Sequence, residues 1–280
     1  MIAPSQRGTA SRLVVLTLLC GIALGQDVGP GFVRDHVRVE GAEISYVIRH
    51  RSGPALVLVP GSLVGADDWS EVVAGLDPDL TVMIVELRGH GSSWPPAKNG
   101  SIPSFADDFL HATSHARLGR FYVGGHSIGG MIAIEIGGRH PDLVKGILAI
   151  EGWTHYSVAK DALGGQKDTL SAAQLKRRDE LRKPVLSRWT PEQVSDFTSV
   201  WTKWDGFDLL NQTPVPVLEL WGDRRMEQRP SRAQMKIPDR PNIELRWIAG
   251  ASHFLPLERP AEVAAVVNEF IKRVEKPARH

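Results

Sequence analysis

Short apolar runs punctuate the chain, with room for one helix between most neighbouring pairs. The runs are Ala55-Leu56-Val57-Leu58-Val59, Thr81-Val82-Met83-Ile84-Val85, Phe121-Tyr122-Val123, Leu143 to Ile150, Val215 to Leu220 and Ile243 to Ile248. Each reads as a strand covered on both faces, the pattern of a parallel sheet. His36 to Arg49 differs by alternating polar and apolar positions around Gly41, which predicts a two-stranded hairpin at a sheet edge. Helical segments are expected over Trp69 to Leu76, Ser104 to Leu118 and the stretch after Ser127. A last helix carries apolar residues at 263, 266, 267, 270 and 271, one stripe that packs back on the sheet. Strands alternating with helices predict an α/β architecture: a mostly parallel sheet with helices on both faces and its site at the carboxyl ends of the strands.

The strand rhythm stops at 152 and resumes near 214. Two helices are expected in the gap, Ala172 to Leu186 and Pro191 to Lys203, and the segment also holds Trp153, Trp189, Phe197, Trp201 and Trp204. It reads as a helical cap with an apolar underside, inserted between core portions 26–151 and 214–280. The mixed run Lys176-Arg177-Arg178-Asp179-Glu180 is expected on its solvated outer face.

Composition narrows the partners. The 280 residues are 42% hydrophobic, enough for one substantial core, and 33 Lys plus Arg stand against 32 Asp plus Glu. No basic cluster marks a nucleic-acid footprint, so the expected partner is a small molecule of little charge. The first 25 residues have their own character. Arg7 and Arg12 precede an apolar run from Leu13 to Leu24, no acid appears before Asp27, and Ala23-Leu24-Gly25 supplies small residues for cleavage before Gln26. This pattern predicts an export signal too short to span a bilayer, and hence a periplasmic or secreted protein without stable membrane insertion. Cys20 is the single cysteine, so the mature chain would have no disulfide.

The stretch Gly124-Gly125-His126-Ser127-Ile128-Gly129-Gly130 follows a strand and opens a helix. A serine between glycines at a sharp strand-to-helix turn is the pattern of a nucleophile elbow, and such a serine needs a base and a carboxylate from further along the chain. His253 lies in Gly250-Ala251-Ser252-His253-Phe254, a glycine-containing loop after the last strand. His111 and His115 stand one helical turn apart, a possible metal spacing, but no third ligand follows and they read as a solvated helix face.

Together with Pro60-Gly61-Ser62 and Arg88-Gly89-His90-Gly91-Ser92, these motifs resemble the α/β-hydrolase fold over about Val33 to Arg273. The resemblance implies Ser127 as nucleophile, His253 as general base, and the backbone amides of Ser62 and Ile128 as the oxyanion hole. It implies a cofactor-free and metal-free acyl-enzyme mechanism on a carboxylic ester. The acid is open: the usual loop position reads Gly222-Asp223-Arg224-Arg225, without the expected aspartate. Glu151, at the end of the strand after the nucleophile helix, is favoured over Asp223, with Glu227 third, and Arg224 or Arg225 is expected to pair with Asp223. Lactonase, peptidase and carbon–carbon hydrolase chemistry use the same triad, and a weakly catalytic ligand-binding protein is the alternative of another class.

Overall fold

The computed structural model describes residues 28–163 and 169–276. The expected export signal, with Cys20, lies outside the described residues. Eight strands form one sheet: β1 (Val33–Val39), β2 (Ala42–Arg49), β3 (Ala55–Val59), β4 (Thr81–Val85), β5 (Phe121–His126), β6 (Val144–Ile150), β7 (Val217–Gly222) and β8 (Ile243–Ile248). Their order across the sheet is β1-β2-β4-β3-β5-β6-β7-β8. β1 and β2 are the expected antiparallel edge hairpin, and from β4 onward every neighbouring pair is parallel.

The period of two in a strand divides each apolar run between two cores. Val57 and Val59, Met83 and Val85, and Ile147 and Ala149 face one core, which includes residues of α2 (Ile102–His115) and α3 (Ile128–Arg139). Leu56 and Leu58, Val82 and Ile84, and Leu148 and Ile150 face the other, beneath α1 (Ser70–Ala74) and a terminal helix over Pro260–Glu275. All twelve side chains are buried, and each apart from Ala149 is worth about 1.5–3 kcal/mol relative to exposure.

Segment 152–213 holds α4 (Ala172–Leu186) and α5 (Pro191–Val200) at nearly the expected bounds. Each begins with a capping box, Ser171 with Gln174 and Thr190 with Gln193, which fixes where the helix starts. Two elements were not anticipated, a single π turn over Val158–Ala162 and α6 (Phe207–Gln212). Both are too short for a hydrophobic period to be read from sequence. α6 packs on α3, where Gly138 faces Leu209 and the Thr213 hydroxyl donates to the Gly137 carbonyl at 3.0 Å. The chain closes with β8, α7 (Leu255–Glu258) and α8 (Pro260–Glu275).

The aromatics of this segment divide into two groups. Trp189 and Phe197 pack around buried His90, and Trp189 Nε1 donates to the Gly89 carbonyl at 2.8 Å. Trp204 Nε1 donates to Glu135 of α3 at 2.9 Å. These three tie the segment to the core, whereas Trp153 and Trp201 line a cavity. His115 joins α2 to the hairpin, with Nδ1 2.9 Å from the Tyr46 hydroxyl.

Candidate active site

At the end of β5 the chain reverses into α3 within one residue. Ser127 takes φ 58° and ψ −120°, a backbone conformation rare for any side chain but glycine. The flanking glycines permit it. A Cβ on Gly125 would collide with the Gly129 backbone, and one on Gly129 with the Val59 carbonyl. The strained residue is held from both sides, because its amide donates to the Ile150 carbonyl and its own carbonyl accepts the Gly130 amide, each at 2.9 Å.

Ser127 Oγ lies 3.0 Å from His253 Nε2, and His253 Nδ1 lies 3.2 Å from Glu151 Oε2. His253, more than a hundred residues beyond both Ser127 and Glu151, thus joins them in one hydrogen-bonded chain. His253 is fixed from behind by His126, whose Nε2 is 2.6 Å from the His253 carbonyl. With that nitrogen donating, His126 Nδ1 is an acceptor, and burial pulls the imidazole down to about 3, so it is neutral.

Glu151 is fully buried at the first position beyond β6. Its carboxylate accepts the Gly222 amide at 2.6 Å and a two-pronged contact from Arg224, at 3.1 Å to Oε1 and 2.5 Å to Oε2. Burial pushes the carboxyl up, but the Arg224 charge and the bond and charge of His253 outweigh it and hold the group below the usual glutamate range. An ionised carboxylate beside Nδ1 keeps that nitrogen protonated and leaves Nε2 free to accept the serine proton.

Asp223 is engaged elsewhere. It accepts the Gly250 amide at 2.7 Å, the Arg225 amide at 3.0 Å and Arg229 at 3.0 Å. The expected ion pair with Arg224 or Arg225 is therefore corrected: Arg224 turns inward to Glu151, and Arg229 is the partner of Asp223. Glu227 has no contact with His253 among those described. Asp223 thus braces the loop that leads to His253, while the imidazole itself meets Glu151.

Ser127 and His253 open onto a cavity of about 540 Å³. Ser62 lines it, and Ile128 opens α3, so the Ile128 amide has no acceptor within its own helix. Asp68 also lines the cavity, close to Gly61 of the loop that holds Ser62. The cavity also takes in Lys160, Arg178 and Arg182. Arg178 is the second correction, since its run was expected on an outer face. α4 has no apolar stripe and buries only Leu181 and Val185, so the hydrophobic pattern could not orient it.

Residues 56–266 match the model of the alpha/beta hydrolase family. An uncharacterized protein of Mycobacterium tuberculosis is 25% identical over 264 residues, covering 80% of this chain and 77% of its own. Est816, described as an N-acyl homoserine lactone degrading enzyme, superposes with a TM-score of 0.68 at 25% identity, over 84% of this chain and 100% of that one. A bacterial membrane phospholipase A shares the fold, with a TM-score of 0.71 at 21% identity over 87% of both chains. The match over most of the chain agrees with the sheet order and the strained serine, and the protein is a member of the alpha/beta hydrolase family.

Proposed function

We propose that the protein is a serine hydrolase that cleaves a carboxylic ester through an acyl-enzyme. The observation that carries this reading is the 3.0 Å approach of Ser127 Oγ to His253 Nε2 at the cavity floor. His253 Nε2 takes the hydroxyl proton as Oγ bonds to the substrate carbonyl carbon, and Glu151 stabilises the imidazolium that forms. The amides of Ser62 and Ile128 are proposed to receive the carbonyl oxygen as it becomes an oxyanion. The tetrahedral intermediate collapses, the alcohol leaves with the proton from His253, and the acyl group stays on Ser127. Water then adds to the acyl carbon with His253 again as base, and the carboxylic acid departs.

A cyclic ester would follow the same steps with its alcohol still tethered, and the likeness to Est816 favours testing lactones beside open esters. Turnover of a short p-nitrophenyl ester, with fluorophosphonate labelling, separates a hydrolase from a binding protein of the same fold. Ser127→Ala is expected to abolish labelling and lower turnover by about 10³-fold or more, with the melting temperature preserved. Turnover near wild type in that variant would refute the assignment.

A further inference from the structure

The cavity lining combines two kinds of side chain. Trp153 and Trp201 are among its apolar members, and the Trp153 ring lies 5.6 Å from the His253 ring. Others are cationic. Arg178 and Arg182, one turn apart on α4, set their guanidinium carbons 5.3 and 5.4 Å from the centre of the Phe254 ring, and Phe254 itself packs 5.4 Å from His253. Lys160, on the π turn, is a third cation in the lining.

Among the described residues, Asp68 is the one carboxyl in that lining. Burial and the neighbouring Asp67 push it up to about 7, against the opposing charges of Arg182 and Arg177, so near neutrality it is only partly ionised. Asp179 pairs with Arg178 at 3.2 Å from a largely exposed position on the same helix. Arg182 lines the same cavity as Asp68 and His126, and its charge acts on both.

We infer that Arg178 and Arg182 form a subsite for an anionic group, so that the preferred ester carries a carboxylate on one half and an apolar group on the other. The inference rests on the ester-hydrolase reading and narrows its substrate class. Guanidinium suits this work because it donates to a carboxylate through two parallel N–H bonds, even when other donors of the same group are engaged. Phe254 lies beside both guanidinium groups, and because it follows His253 directly, an anion bound there would lie near the imidazole. Expectation from net charge alone pointed to a substrate of little charge; the positive charge in the cavity is local and does not appear in a chain total of +1.

Two matched pairs of esters test this. The p-nitrophenyl monoester of glutaric acid against p-nitrophenyl pentanoate places the carboxylate on the acyl side. Butyryloxybenzoate against its methyl ester places it on the alcohol side. Wild type is expected to favour the anionic member of one pair by about tenfold or more in kcat/KM, with the preference declining as salt is added. In Arg178→Gln/Arg182→Gln the ratio should fall toward one, and in Arg178→Lys/Arg182→Lys most of it should return. Fluorophosphonate labelling of each variant shows that its serine is still assembled. Equal or faster turnover of the neutral member in both pairs overturns the subsite and leaves ester hydrolysis standing, as does a preference that survives the glutamine variant. Absence of both turnover and labelling in wild type would remove the ester reading and this inference together.

Discussion

Arg224 is the residue that explains why a fully buried glutamate can stay ionised. Without it, burial would dominate and the Glu151 carboxyl would rise. Arg224→Met is therefore expected to move the acid limb of the kcat/KM profile to higher pH, since protonation of Glu151 would remove the charge that stabilises the imidazolium. The pH dependence of a p-nitrophenyl ester reaction checks it, and an unmoved limb would show that Arg224 does not set the charge. Glu151→Gln should lower kcat by about 10³-fold or more with little change in KM, because an amide cannot stabilise the imidazolium. Asp223→Asn should cost about tenfold or less, since its oxygen can still accept the Gly250 amide. The reverse ranking would reassign the acid. Ser127, His253 and Glu151 were legible because each ends a strand or opens a loop with local requirements. The role of Arg224 was not, since Asp223 beside it offered a local partner and no motif points to Glu151, although a carboxylate expected beneath a cap was itself a reason to look for a cation.

At the scale of elements, the loop after β4 works as a socket for the cap. Gly89 has φ 79°, and a Cβ there would strike the Trp189 ring, whose indole nitrogen donates to the Gly89 carbonyl. Trp189→Phe keeps most of the apolar contact and removes that bond, so a modest rise in KM with a smaller change in kcat is expected. Gly89→Ala meets both the ring and a left-handed backbone, and should lower the melting temperature by several degrees as well. Thermal melts beside steady-state kinetics distinguish the two outcomes. Strands and helices were legible where an apolar period ran for a strand or several helical turns. α4 was found by its length and cap but not oriented, because a helix with charges all round gives no stripe. Only the cavity shows that Arg178 and Arg182 turn inward.

Across the molecule, the buried acids tie stability to pH. Burial raises Glu219 to about 8, while the same group in the unfolded chain titrates near about 4.3. Between those values the native state holds the extra proton, so this contribution is full below the unfolded value and is lost as pH rises through about 8. Buried His90 and His126, drawn down to about 4 and about 3, lose their contributions in the opposite direction, as pH falls below about 6.5. Glu219→Gln should therefore melt higher relative to wild type at pH 8 than at pH 5, a comparison in which the histidine effects cancel. An unchanged difference would mean that Glu219 is ionised in the native protein. Export remains a proposal from the first 25 residues, and a mass consistent with an N-terminus near Gln26 in exported protein would support it, whereas an intact chain in the membrane fraction would not. The sheet order itself has one more implication. Ser127 and Glu151 leave β5 and β6, adjacent strands in the interior, whereas His253 hangs from β8, which has a neighbour on one side only. Of the two margins, β1 and β8, only the second carries a residue of the site, so warming that loosens it against the His126 hold on the His253 carbonyl should withdraw the imidazole while the interior strands hold. The proposed hydrolysis would then fail reversibly at temperatures below the melting transition, and the protein's working range would be set by one peripheral strand, not by its core.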